Sequence, residues 1–280
     1  MEPDTDVCNE EYISHVIGLA KRGMFDELKR EDTKNIIRVS EHIVPAAAGY
    51  GHLDIIKWIK SLGCDVHGYN HNGWGNCCKY GRIDVARFLL EQPEVDPMAQ
   101  GGYGLSWACK NDHVEIVKLF LDRKIVRPWH NSNSLLQAAL ENGSRKVSEL
   151  LVNQGCHIRT PYIISLVVYN GWSDMLVHCD RIDSDDLPIT AAKFNHLDIL
   201  VKLVTEYGLS PNERQSKGLM YGCQHGNFKM IRFLSEYPQY WNNRNGVCIK
   251  KIKTHNNYEM TKYVNSHMVL QRFFNRLAKG

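Results

Sequence analysis

The residues best equipped for chemistry in this 280-residue chain are its nine cysteines and thirteen histidines. Thiolates and imidazoles can hold zinc, activate a water or act as nucleophile and base, but each use demands a close spacing. The cysteines do not supply it. Cys77 and Cys78 are adjacent, the other seven are scattered, and no C-x₂-C pair occurs. His67 and His71 stand four apart, which on a helix would suit a metal, but Gly68 and Asn70 between them read as loop. Gly101-Gly102-Tyr103-Gly104 is dense in glycine, yet no strand leads into it as a phosphate loop requires. Gly-x-Ser-x-Gly and His-Glu-x-x-His are both absent. No nucleophile, base and orienting group come together. The expectation is a chain that is not an enzyme, with no cofactor and no metal.

Composition narrows the partner classes. Hydrophobic residues make up 43% and charged residues 23%, enough apolar material for a core along the whole chain. The net charge of +3 is too small to make nucleic acid the main partner. No run approaches the roughly 20 apolar residues of a membrane helix. Met1 to Glu11 holds five acids and no base, so a secretory leader is not expected. An odd cysteine count without framework spacing points to free thiols in a reducing compartment, and the cytoplasm is the expected location.

Elements that could position any of these residues emerge from an internal repeat. The segment Ala47-Ala48-Gly49-Tyr50-Gly51-His52-Leu53-Asp54-Ile55-Ile56-Lys57 recurs from Cys77, Ala108, Ala138, Val167, Ala191 and Gly222, with weaker copies around Gly23 and Asn256. Its turn residue falls at Gly23, Gly51, Gly81, Asp112, Gly143, Gly171, Asn195, Gly226 and Asn256, in steps of 28, 30, 31, 31, 28, 24, 31 and 30 residues. These anchors are all Gly, Asn or Asp, the types that tolerate a left-handed backbone where a helix ends. Three residues on comes an acid in seven copies (Asp26, Asp54, Asp84, Glu115, Asp174, Asp198, Glu259), in the first turn of a second helix where its dipole favours negative charge. Apolar residues follow at four, five, eight and nine past the anchor, as in Ile116, Val117, Phe120 and Leu121, making one buried stripe. Bases three beyond the acids (Lys57, Arg87, Lys118) predict a row of solvent-side ion pairs. Small residues sit three and four before most anchors, and around Asn256 Ile252 and Lys253 replace them. Cys77, Cys78, Cys109 and Cys223 occupy these small slots, and Cys179 falls on the apolar stripe, so they read as buried hydrophobes.

The small pair, Gly-His-Leu-Asp-Ile-Ile and the following Leu-Gly-x-Asp-Val resemble the ankyrin repeat over about residues 12 to 267. The resemblance implies an all-α, ankyrin-type solenoid of about nine helix-turn-helix repeats. It places Cys64 and Cys156 in a slot the family fills with Ala, and gives His52, His113 and His196 a hydrogen-bonding role at the turn. Most steps are shorter than the family's period of about 33 residues, so the missing residues come from the loops. Residues 1–40 are expected to form a capping repeat and lead-in helix, 41–246 the repeats, and 247–280 a carboxy-terminal capping repeat with a basic terminal helix. The 24-residue step between Gly171 and Asn195 predicts a truncated second helix and an acidic turn. In style the array is similar to those of amoebal giant viruses and protists, whose partner would be a host protein in the host cytoplasm.

What such an array implies is binding of a protein partner, by a monomer, through first helices and the loops before them. Bulky aromatics outside the core register mark that edge, because such side chains anchor interfaces. The expected partner-binding residues are Tyr69, His71, Tyr103, Trp129, His130, Tyr240, Trp241 and Arg244, with the aromatics in loops. A substrate-recognition adaptor for a ubiquitin ligase is the alternative. The bases from Arg244 to Lys279 read as a solvated cap.

Overall fold

A computed structural model of the chain describes residues 10–68, 71–125, 132–211, 213–237 and 258–277, without the side chains of 132, 133, 213–216 and 268–277. Among the described residues there is no strand, only an isolated bridge between Ile158 and Cys179. The chain divides into two compact units, 1–157 and 158–280.

The first unit holds five helix pairs: α1 (Glu10–Arg22) with α2 (Phe25–Leu28), α3 (Thr33–Tyr50) with α4 (Leu53–Ser61), α5 (Asn72–Lys79) with α6 (Ile83–Leu89), α7 (Ala99–Lys110) with α8 (Val114–Asp122), and α9 (Ser132–Glu141) with α10 (Arg145–Asn153). First helices pack in succession from α1 through α3, α5 and α7 to α9, and α6, α8 and α10 make a second row. The second unit pairs α11 (Pro161–Asn170) with a 3₁₀ helix (Ser173–His178), α12 (Leu187–Lys193) with α13 (Leu197–Thr205), and α14 (Glu213–His225) with α15 (Phe228–Ser235), and ends in α16 (Tyr258–Leu277). The 3₁₀ helix falls where the repeat step shrinks to 24 residues. Extended backbone at Cys179 ends it, and the Asp180 N–H donates to Ile158 O at 3.1 Å. Residues 32–40, read as a lead-in, are the front of α3, which runs on through Pro45.

Every described anchor is left-handed: φ is 69° at Gly23, 89° at Gly51, 68° at Gly81, 58° at Asp112, 70° at Gly143, 78° at Gly171, 65° at Asn195 and 65° at Gly226. The reversal lets the N–H groups of Gly51 and His52 both reach Ala47 O, at 2.9 Å each, so the frayed end of α3 is closed. Behind the anchors the small pairs are buried, from Ala47–Ala48 to Ala191–Ala192, which lets first helices approach closely. On second helices the positions four, five and eight past the anchor are buried, as in Ile55, Ile56 and Ile59. Nine past the anchor, expected in the core, is only half-buried, as at Lys60 and Leu121. Ser148 takes a core slot and satisfies its hydroxyl by donating to Ser144 O at 2.8 Å.

Consecutive repeats are joined through a carbonyl that its own helix cannot satisfy. Two residues before four anchors of the first unit, the carbonyl accepts a side-chain hydrogen bond from the next repeat: His52 to Lys21 O at 3.0 Å, Arg82 to Gly49 O at 3.0 Å, His113 to Lys79 O at 2.9 Å and Ser144 to Lys110 O at 2.8 Å. The second unit repeats this with His196 to Tyr169 O at 3.0 Å and His225 to Lys193 O at 2.7 Å. The histidines therefore link neighbours, beyond any role in their own turn. The ring lies so close to the preceding anchor that a Cβ on Gly23, Gly81 or Gly171 would sit 2.5–2.6 Å from it. Where the anchor carries a side chain the partner changes. Asp112 faces the small Ser144 and itself accepts the Val147 N–H at 2.8 Å, while Asn227 donates to the Asn195 side chain at 2.8 Å.

Gly81→Ala should destabilise the protein by about 1–3 kcal/mol, from the left-handed backbone and the clash with His113 together. His113→Ala, which strips Lys79 O of its partner, should cost about 1 kcal/mol. In the double variant the clash is gone, so chemical denaturation should give a sum smaller than the two single losses. Additive losses would mean that the ring does not contact the anchor.

Candidate protein-binding surface

With the pair of small residues on one side of the first helix in the core, helical spacing in α5, α7, α9 and α11 turns another stripe outward, nine, five or six, and two residues before the anchor. In α5 it reads Asn72, Asn76 and Lys79; in α7 Tyr103, Trp107 and Lys110; in α9 Ser134, Gln137 and Glu141; in α11 Tyr162, Leu166 and Tyr169. All of these are exposed or half-buried, and no two copies agree. The opposite side of the repeats is more uniform. Asp54, Lys57, Asp84, Arg87, Glu115 and Lys118 are all exposed on second helices. Of the expected ion-pair row only Glu115–Lys118 closes, at 3.1 Å, while Lys57 lies 5.8 Å over the Phe88 ring. Exposed pairs of this kind hold little energy, so nothing fixes the other two.

Of the residues expected to bind a partner, Tyr69, Trp129, His130, Tyr240, Trp241 and Arg244 lie outside the described residues. Tyr103 is exposed (45%), but it stands on α7 and not in a loop as expected. The turn before it is left-handed at Gln100, Gly101 and Gly102, with φ of 54°, 69° and 80°, and regular helix begins after them. The glycines relieve most of the cost that an ordinary residue would meet there. His71 is half-buried and left-handed (φ 57°) at the start of α5, its ring 4.8 Å from that of His67 and its Nδ1 without a partner. Tyr103 and His71 share no hydrogen bond or ring contact.

The structure adds residues that the reading of loops passed over. Tyr103 packs edge-on against Trp107 at 5.7 Å, and Lys79 from α5 stands 4.4 Å over the Trp107 ring and 5.4 Å from that of Tyr80. Lys110 approaches Trp107 from the next turn at 5.4 Å. Counting back from the anchors would have found Trp107 and both lysines, since they fall at five and two residues before Asp112 and Gly81.

Residues 74–162 match the family model of ankyrin repeats in three copies. No curated protein matches the chain. The described residues form an all-α fold of helix pairs of ankyrin type. Ankyrin repeats generally mediate protein–protein interaction, and the fold is typically a non-enzymatic binding scaffold. No described helix is long and apolar enough to cross a membrane.

The thiols sit in the slots that the register assigns. Cys64, Cys77, Cys78, Cys109, Cys156 and Cys223 are buried and Cys179 half-buried, while Cys8 and Cys248 lie outside the described residues. The Cys77 thiol donates to Trp74 O at 3.1 Å. Burial pushes Cys109 up to about 12, with Cys156 nearby adding to it, and pushes Cys156 up to about 11. Cys179 rises to about 12, through burial and then the Asp180 charge. A raised thiol pKa stabilises the folded state fully below the ordinary value of 9.0, and that contribution is lost as pH climbs toward 11–12. The described thiols should therefore resist a thiol reagent at pH 8 until the protein unfolds, a chelator should leave the melting temperature unchanged, and stability should fall above pH 9. Fast labelling of the folded protein at Cys109 or Cys156, or stoichiometric zinc in purified protein, would overturn this.

Proposed function

We propose that the chain is a monomeric, cytoplasmic scaffold that holds a protein partner along the outward stripe of its first helices and the loops before them. The single observation behind this reading is the stripe itself: from α5 to α11 its residues are exposed or half-buried, their combination changes from repeat to repeat, and they include Tyr103, Trp107, Tyr162 and Tyr169. Aromatic side chains of this kind dominate interface energy, whereas charged residues on the second helices contribute little. To this surface we also assign His71 and, among residues outside those described, Tyr69, Trp129, His130, Tyr240, Trp241 and Arg244, which the repeat register assigns to the loops before first helices. If the likeness to amoebal giant-virus arrays extends to the source of the chain, the partner is a host protein.

A photoreactive residue placed at Tyr103 or Tyr162 should cross-link a protein in extracts of the native cell, and one at Lys57 or Arg87 should not. Recovery of a ubiquitin ligase with that protein would identify the adaptor form of the same function. Trp129→Ala and Trp241→Ala should each weaken binding by about 1–3 kcal/mol with the melting temperature nearly kept, while Lys57→Ala and Arg87→Ala change it little. Cross-links confined to Lys57 and Arg87 would assign the partner to the other side.

A further inference from the structure

The ammonium groups of Lys79 and Lys110 have no carboxylate partner among the described residues; both are held by the rings around Trp107. Neither α5 nor α7 contains an Asp or Glu. Of the acids in the loops before them, Asp65 lies against His67, Glu94 pairs with Lys60, and Asp96 accepts the Met98 N–H at 2.8 Å, while Glu91 is exposed at the end of α6. Lys60 thereby holds the Glu94 carboxyl below the usual range. The face of α5 and α7 thus keeps two uncompensated positive charges on an aromatic platform. A cavity of about 250 Å³ lies between α7 and α9, lined by the apolar Met98, Leu105 and Leu135 and by Ser106, which precedes Trp107 in the chain.

We propose that this face takes an acidic segment of a partner protein, with carboxylates on Lys79 and Lys110, a flat contact on Trp107, and one apolar side chain in the cavity between α7 and α9. The proposal rests on the scaffold reading and narrows it to one kind of partner. A lysine whose charge is presented over a ring can meet a carboxylate without leaving the ring, and the patch steers an acidic segment toward the cavity. A nucleic-acid strand fits less well. It carries a phosphate at every nucleotide and needs a continuous basic track, whereas here the equivalent position on α9 is Glu141, which accepts from Gln137 at 2.8 Å.

The test is selection of twelve-residue peptides from a random display library on the full-length chain, followed by titration calorimetry with the peptides recovered. Selected peptides should carry two or more Asp or Glu around one large apolar residue. Their affinity should fall about tenfold in Lys79→Gln/Lys110→Gln and about tenfold in Trp107→Ala. Ser134→Tyr, in the lining of the cavity, should weaken them as well, with melting temperature checked for each variant. Failure to enrich, neutral or basic consensus peptides, or unchanged affinity in the double lysine variant would overturn the proposal. So would tighter binding of a twelve-residue oligouridine that depends on the same lysines. Peptides that depend on Tyr162 and Tyr169 instead would refute this face and leave the scaffold reading intact. Peptides that depend on Lys57 and Arg87 would refute both.

Discussion

At the end of each first helix, the carbonyl two residues before the anchor has lost its helical donor. A single repeat cannot repair this, because its own chain has just turned away through a left-handed residue. The next repeat supplies the donor, from His52, Arg82, His113, Ser144, His196 and His225. Leaving such a group unsatisfied costs about 1–3 kcal/mol when buried, so the hydrogen bond ties the register of neighbouring repeats as well as adding to their stability. It also couples two residues some thirty positions apart. A histidine or arginine needs a glycine before it, and an anchor with a side chain needs a smaller or differently placed partner, as Asp112 has in Ser144.

This link, with the small pairs and the apolar stripe of second helices, commits most of each repeat to its neighbours. The outward stripe of the first helix is less committed, though Asn76 donates to Pro45 O at 2.9 Å and Tyr169 packs on Phe194. Its change from Asn72–Asn76–Lys79 to Tyr103–Trp107–Lys110 to Tyr162–Leu166–Tyr169 is why binding is assigned to it. The buried cysteines belong to the other category. Their slots demand a small apolar group, and burial that raises a thiol's pKa removes the thiolate on which reactivity depends.

The short step between Gly171 and Asn195 shows how far a repeat can shrink. Six residues of 3₁₀ helix still bury Met175 and Leu176, the two core positions nearest the anchor. The position that a longer helix would bury falls on Cys179, which is left half-exposed in extended backbone. Arg159 and Asp180 form an ion pair across this turn at 2.6 Å.

Local chemistry wrote the period, the left-handed anchors, the small pairs and the acids at second-helix starts directly into the sequence, since each acts within a few residues of chain. The truncated helix was legible for the same reason: too few residues remain for a full one. The first halves of the repeats were not, because they share no pattern except which residues must be small. Tyr103 looked like loop, since Gly101 and Gly102 precede it, yet those glycines make a left-handed turn from which α7 starts at once. Trp107, Lys79 and Lys110 stand on helices, outside the loops from which partner-binding residues were expected. Only packing of α5 against α7 put the lysines over the indole ring, and only the stack showed that the turn histidines reach back to carbonyls 27 to 34 residues earlier. Those choices are made between repeats, where distance along the chain carries no information about distance in space.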